Sequence, residues 1–139
     1  MYPRLLTRKS LALYLLCSLW LVGILLPMAR LVSIYPWVRR AFATLFSPGW
    51  MHIAMHAVLY MVLAVLLMKS LPLPQNRNGM ILLLGVLLVV GITQEWLQML
   101  GGGNPGLGGI LFDLCVDLCG GLAGGLFLFA VMKVRAHSP

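Results

Sequence analysis

Four long apolar runs, separated by short segments that contain proline or glycine, place the strongest limit on how this chain can fold. The runs cover residues 10–34, 51–68, 79–100 and 110–132, and a helix needs roughly 20 residues to cross a bilayer. The segments between them include SIYPW, SLPLPQNRNG and GGGNPGLGG, and Pro and Gly are the residues that interrupt regular structure. The pattern predicts an all-α, polytopic membrane protein with four transmembrane helices, in a single domain over residues 1–139.

The composition excludes an ordinary soluble domain. The chain is 61% hydrophobic and 9% charged, with a mean hydropathy of +0.98, whereas about a quarter of the residues are charged in a soluble domain.

The first apolar run resembles a signal peptide, because it follows the basic segment MYPRLLTRKS. However, the run is longer than that of a signal peptide and lacks a convincing small-residue cleavage site. We therefore expect this run to stay attached as the first membrane helix.

The basic residues flank the apolar runs, and they predict an orientation. Ten Lys and Arg against three acids give a net charge of +7. With four spans, one side carries Arg4, Arg8, Lys9, Lys69, Arg77, Lys133 and Arg135, and the other carries Arg30, Arg39 and Arg40. The larger basic group marks the cytoplasmic side, so both termini are expected there. No basic stripe alternates with aromatic residues, so we expect no nucleic-acid partner.

The long first loop has a helical pattern over residues 37–47. One face would hold Trp37, Val38, Ala41, Phe42, Leu45 and Phe46, and the other would hold Arg39, Arg40, Ala43, Thr44 and Ser47. Such a segment is typical of a short amphipathic helix that lies in the membrane interface. An irregular loop fits the same residues.

All three acidic residues of the chain lie in its last two apolar runs. Glu95 is in the third run, and Asp113 and Asp117 are one helical turn apart in the fourth. An ionisable group in lipid costs several kcal/mol, about 2.5–3.5 on insertion scales, unless it faces an interior or a water-filled cavity. These carboxylates are therefore candidates for function.

Other polar residues fall at the same depth as the acids. His52, His56 and Tyr60 stack on one side of the second helix, and Gln98 shares a stripe with Glu95. Because successive helices cross in opposite directions, all of these groups come near the same, outer end. They predict one pocket that opens to the outer face, with candidate binding residues His52, His56, Tyr60, Glu95, Gln98, Asp113 and Asp117. Polar pairs that only hold helices together are the structural alternative.

The glycines of the fourth run predict close helix packing. Gly120 and Gly124 are four residues apart, as are Gly121 and Gly125. Small residues at this spacing let a neighbouring helix approach closely in a membrane.

Three short motifs resemble the VanZ-like membrane proteins. These motifs are HAVLY (His56, Tyr60), EWLQ (Glu95, Gln98) and DLCVDLCGGLAG (Asp113, Asp117, Gly120, Gly124). The family pattern resembles D-K-x-x-H-x-x-x-Y, then E-x-x-Q, then D-x-x-x-N-x-x-G-x-x-x-G. The resemblance covers roughly residues 50–125 and implies a bacterial inner-membrane protein of about four helices. It also implies a link to resistance against the glycopeptide teicoplanin.

The chain departs from this pattern at four places. His52 stands where the family usually has Asp, Ile53 where it has Lys, and Asp117 where it has Asn. The glycine-rich loop has Asn104 and no Arg, and an Arg there would bind phosphate or carboxylate. Direct binding of an anionic headgroup by this loop is therefore not expected.

Three functions fit these residues. The first is to bind or handle an envelope lipid or a lipid-linked precursor, with Arg39 and Arg40 supplying positive charge near the headgroup. The second is a metal-dependent membrane hydrolase in which a divalent ion such as Zn²⁺ or Mn²⁺ activates water. Its candidate metal ligands are His52, His56, Glu95, Asp113 and Asp117. The third is proton-coupled transport, which would need a homo-oligomer because four helices leave little room for alternating access.

Overall fold

The computed structural model describes residues 8–26, 34–45, 49–101 and 106–136. Within these residues it contains five helices and no strand, so the prediction of an all-α chain is confirmed. The helices are α1 (Arg8–Leu25), α2 (Pro36–Leu45), α3 (Gly49–Ser70), α4 (Arg77–Leu100) and α5 (Gly106–Ala136).

Three of these helices, α3, α4 and α5, are long and apolar enough to cross a membrane. A chain of this kind is a helical membrane protein, because an apolar helix satisfies its backbone polar groups internally. The fourth predicted span is shorter than expected. Its apolar helix covers Ser10–Leu25, whereas the sequence predicted a span over 10–34, of which residues 27–33 lie outside the described part.

Proline explains where α1 ends. Pro27 follows Leu26 in the sequence, and a residue that precedes proline is disfavoured in the helical conformation. Among the described residues, the last hydrogen bond at this end joins the Leu26 amide to the Val22 carbonyl at 3.0 Å. The prediction overlooked this signal, and it extended the first helix through a residue that ends helices.

The predicted helix of the first loop is present as α2. It begins at Pro36, a residue that suits the first helical position because its missing amide hydrogen would have no partner there. Trp37 is exposed on its surface. The prediction covered residues 37–47, of which residues 46 and 47 lie outside the described part. The position of α2 in a membrane interface stays a prediction.

Helix α5 packs chiefly against α3 and also against α4, and α1 packs on the α3–α4 pair. Gly120 and Gly124 explain the close approach to α3, because a Cβ atom at either position would meet the backbone carbonyl oxygen of Ala57 or Met61. The prediction that these glycines form a packing surface is confirmed. Their positions also show that α3 and α5 run parallel, since Gly120 faces Ala57 and, one turn on, Gly124 faces Met61.

Helix α4 runs antiparallel to both neighbours. Gly121 faces Leu87 and Gly125 faces Met80 and Leu83, so residue numbers rise along α5 as they fall along α4. The first turns of α3 and α5 and the last turns of α4 therefore lie at one end of the bundle. The apolar core begins deeper, at Tyr60, Leu63 and Leu87.

Candidate functional site

Two histidine–aspartate pairs join α3 to α5 at the shared end of the bundle. His52 Nε2 lies 3.2 Å from Asp113 Oδ1, and His56 Nδ1 lies 2.9 Å from Asp117 Oδ1. The members of each pair are 61 positions apart, because the two helices are parallel and carry their polar residues at the same i, i+4 spacing. The first pair is nearer the end of the bundle, and the His52 side chain is 46% exposed. The second pair is enclosed, with His56 2% and Asp117 1% exposed.

A third polar contact joins α3 to α4. The Tyr60 hydroxyl donates to Gln94 Oε1 at 2.8 Å, and Tyr60 has no exposed surface. Gln94 was missing from the predicted residues, although it is the neighbour of Glu95 in the sequence. A glutamine within an apolar span is costly without a partner, and that cost was the signal that would have identified it.

Glu95 is a buried carboxylate without a hydrogen-bond partner among the described residues. It is 2% exposed, and neither of its oxygens is hydrogen bonded. It lies within electrostatic range of His56, Asp113 and Asp117. Buried polar atoms are nearly always satisfied, so an oxygen without a protein donor points to a proton, a water molecule or a cation.

Asp117 Oδ2 is a further buried carboxylate oxygen without a hydrogen-bond partner in the described part of the chain. It lies close to Gly91 of α4: an ideal Cβ atom on Gly91 would be 3.4 Å from Asp117 Oδ2 and 3.4 Å from the Tyr60 hydroxyl oxygen. The Leu114 side chain also packs here, with its Cδ2 atom 2.7 Å from the same Cβ position, so the absence of a side chain at Gly91 lets α5 and Tyr60 pack closely against α4.

A cavity of about 470 Å³ lies beside these residues, between α1, α3 and α4; we call it the side cavity. Its polar wall is formed by His52, His56, Gln94 and Gln98. The rest of its lining is an apolar wall that includes Leu16, Leu19, Trp20, Ile24, Met55 and Leu59. The predicted binding residue Gln98 therefore lines this cavity. The contribution of α1 was not predicted, because its residues carry no polar signal.

A hydrogen bond between α1 and α3 holds the apolar wall in place. The Trp20 indole Nε1 donates to the Leu59 carbonyl at 3.0 Å, and both residues line the side cavity. The indole supplies a large apolar surface together with one donor that finds a partner. Trp20 thus fixes α1 at the distance from α3 that keeps the cavity open.

Three of the predicted metal ligands come together in the structure. His52, His56 and Asp113 each offer one ligand atom, and these atoms lie within 4.8 Å of one another. The other two predicted ligands have different surroundings. Asp117 contacts His56, and Glu95 stands outside this group of three.

No protein-family model, no curated protein and no solved structure matches this chain. The resemblance to VanZ-like proteins therefore depends on the three short motifs around His56, Glu95 and Asp113, and it stays a prediction. The same applies to the bacterial inner membrane, to the cytoplasmic termini and to glycopeptide resistance. A fold alone does not assign a function, so any function has to be inferred from the residues of the site.

Proposed function

We propose that the protein binds an amphiphilic lipid or a lipid-linked envelope precursor, with its headgroup at the His–Asp pairs and its apolar chain in the side cavity. The observation that carries this proposal is the composition of the cavity walls. Apolar residues of α1 and α3 line the cavity together with imidazole and amide groups of α3 and α4. A molecule that is apolar at one end and polar at the other matches both walls.

The size of the cavity supports a small amphiphile. Its volume of about 470 Å³ falls in the range of about 300–1,000 Å³ that is common for ligand pockets. Burying an apolar chain against Leu16, Leu19 and Ile24 contributes dispersion contacts. The gain over surrounding lipid comes from the polar end, because hydrocarbon gives a headgroup no hydrogen-bond partner.

The polar wall offers donors and acceptors to a headgroup. The amide groups of Gln94 and Gln98 and the ring nitrogens of His52 and His56 reach the cavity surface. Two of the three carboxylates already contact these histidines through one oxygen each. Arg39 and Arg40 are exposed on α2, where they add positive charge in the predicted interface.

Two matched glycine variants test this proposal. Gly23 lines the side cavity, and a Cβ atom there would meet no other heavy atom within 4 Å. Gly23→Leu should therefore fill part of the cavity without disturbing the backbone. We expect roughly tenfold weaker lipid binding, equivalent to about 1.4 kcal/mol. The measurement is mass spectrometry of lipids that copurify with the full chain, followed by titration of the lipid identified.

Gly85→Leu is the control. Gly85 also has open space around its Cβ position, it is exposed on α4, and it lies outside the cavity lining. Lipid content should fall in Gly23→Leu and stay at the wild-type level in Gly85→Leu. Equal lipid content in the wild type and both variants would contradict the proposal.

A metal-dependent membrane hydrolase is the second candidate. The close approach of His52, His56 and Asp113 favours it, because two imidazoles and a carboxylate are a common ligand set of catalytic zinc. A bound metal would supply an activated water next to the headgroup position. This function requires the chain to bind a divalent ion at these three residues.

A further inference from the structure

We propose that His52, His56 and Asp113 form a binding site for one divalent transition-metal ion. We also propose that Asp117 orients the His56 ring through their hydrogen bond. The ion would have three protein ligands and a fourth position that faces the side cavity. The site depends on the ligand geometry and on the buried carboxylates around it. It does not require that a lipid occupies the cavity.

The spacing of the ligand atoms suits tetrahedral coordination. Metal–ligand distances of about 2.0–2.2 Å place the corners of a tetrahedron about 3.3–3.6 Å apart. His52 Nε2 and Asp113 Oδ1 are 3.2 Å apart, and all three ligand atoms lie within 4.8 Å of one another. Small side-chain rotations would bring the three to a common centre.

Asp117 determines which nitrogen of His56 is available. Its Oδ1 atom engages His56 Nδ1 at 2.9 Å, which leaves Nε2 as the ligating nitrogen. Histidines that bind metals usually donate their other ring N–H to a carboxylate or carbonyl, which fixes the tautomer and makes the ligand more basic. Both side chains of this pair are almost fully enclosed, so the ring orientation is set by packing as well.

The buried carboxyl groups supply a second observation, beside the ligand geometry, that favours a cation. Three carboxylate oxygens here, both of Glu95 and Oδ2 of Asp117, are buried without a hydrogen-bond partner in the described part of the chain. Uncompensated charge is expensive inside a protein and more so within a membrane. A divalent ion between the two histidines and Asp113 would offset this charge. Imidazole ligands favour zinc-like ions over Mg²⁺ or Ca²⁺.

The cavity lining suggests where the open position lies. His52 and His56 both line the side cavity, whereas their partner Asp113 belongs to α5 and is not among the residues that line it. Three ligands with one open position characterise catalytic rather than structural zinc sites, which are closed by four protein ligands. The exposed side of this ion would therefore meet whatever occupies the cavity.

The experiment uses the full chain in detergent, purified without a polyhistidine tag. The protein is stripped with a chelator, loaded with Zn²⁺ or Co²⁺ and dialysed, and bound metal is then measured by elemental mass spectrometry. We expect one ion per chain, and for Co²⁺ the strong visible absorption of a tetrahedral site. His52→Gln should lose the ion. Asp117→Asn should weaken affinity about 10–100-fold, as second-sphere substitutions do.

The matched control removes the two thiols of α5, the helix that carries Asp113 and Asp117. Cys115 and Cys119 are free and exposed, and Cys115→Ala with Cys119→Ala should bind Zn²⁺ as the wild type does. Because the His52 side chain is 46% exposed, His52→Gln should fold even if Asp113→Asn does not. Less than one ion per chain in the wild type, or an unchanged zinc affinity in His52→Gln, would overturn the site. The Gly23→Leu lipid measurement reads a separate property, so either proposal can fail alone.

Discussion

Tyr60 and Gln94 form a polar contact in which the Tyr60 side chain has no exposed surface. Tyr60 is fully buried and Gln94 is 7% exposed, and the 2.8 Å hydrogen bond between them crosses from α3 to α4. Removing one partner would leave the other buried without its bond. Removing both would leave two apolar surfaces in contact, which is often nearly neutral.

A double-mutant cycle tests this dependence. We expect Tyr60→Phe and Gln94→Leu to lower the free energy of unfolding individually, and we expect the double variant to lose less than their sum. The coupling should be about 0.6 kcal/mol, the average for hydrogen bonds between membrane helices, and should not exceed the maximum of about 1.7 kcal/mol. Reversible unfolding of the full chain in mixed micelles gives the four free energies that the cycle requires.

Thr93→Val is the control for the Tyr60–Gln94 cycle. The Thr93 hydroxyl donates to the Val89 carbonyl of its own helix, so its loss should couple to neither residue. A Tyr60–Gln94 coupling indistinguishable from that of Tyr60 with Thr93 would mean that the hydrogen bond does not stabilise the bundle.

At the level of single residues, the sequence could predict which side chains belong to the polar cluster but not how they pair. The high cost of ionisable groups in lipid identified His52, His56, Asp113 and Asp117. Their partners depend on the register between α3 and α5, which the contacts of Gly120 and Gly124 with the α3 backbone set. That register is a property of two helices in contact, and neither helix encodes it alone.

Helix α5 uses two adjacent rows of glycine against two different neighbours. Gly120 and Gly124 face backbone atoms of α3, whereas Gly121 and Gly125 face the ends of the Leu87 and Met80 side chains of α4. Side-chain ends can move aside at low cost, but a backbone carbonyl moves only with its helix. The two rows should therefore differ in their tolerance of a methyl group.

Alanine substitutions at the two rows test this difference. Gly124→Ala should separate α5 from α3 and destabilise the fold by about 1–3 kcal/mol, as overpacking does. Gly125→Ala should cost less, because the Cε atom of Met80, 2.8 Å from the new methyl group, belongs to a flexible side chain. Thermal unfolding in detergent measures the loss of stability in both variants.

Gly108→Ala provides the baseline for the alanine series, since a Cβ atom at Gly108 would meet nothing within 4 Å. If Gly124→Ala and Gly125→Ala destabilised the protein equally relative to this baseline, close backbone packing would not be what distinguishes the α3 contact from the α4 contact.

Helix positions were the most predictable feature at this scale. The predicted runs 51–68, 79–100 and 110–132 lie within α3, α4 and α5, because length and apolarity are local properties. The side cavity could not be predicted in this way. It depends on where α1 packs against α3. The hydrogen bond that joins them runs from Trp20 to the Leu59 carbonyl, 39 positions away. Because every residue has a backbone carbonyl, the sequence gives no sign of which one Trp20 will contact.

The arrangement of the whole molecule in the membrane depends on α1. Helices α3, α4 and α5 alternate in direction, so the α2 segment and the α3–α4 connection lie on opposite sides if α3 crosses. With its 18 residues, α1 is about 27 Å long, close to the hydrocarbon thickness of about 30 Å. If α1 also crosses, the N-terminus lies on the side of the α3–α4 connection and the C-terminus, as the basic residues predict.

Labelling of single cysteines in cells tests this topology. In a chain without its three native cysteines, Thr44→Cys in α2 should react with a membrane-impermeant maleimide in intact cells. Gln75→Cys between α3 and α4, Arg135→Cys near the end of α5 and an N-terminal epitope tag should become accessible only after permeabilisation. The expected result follows from the seven basic residues on one side against three on the other.

Two outcomes would contradict this topology. If the N-terminal tag were accessible together with Thr44→Cys, α1 would not cross the membrane. If Gln75→Cys were labelled in intact cells, the bundle would have the opposite orientation. In the second case the His–Asp pairs, at His52 and His56 in the first two turns of α3, would face the cytoplasm, and the lipid that we propose for the side cavity would have to come from the inner leaflet.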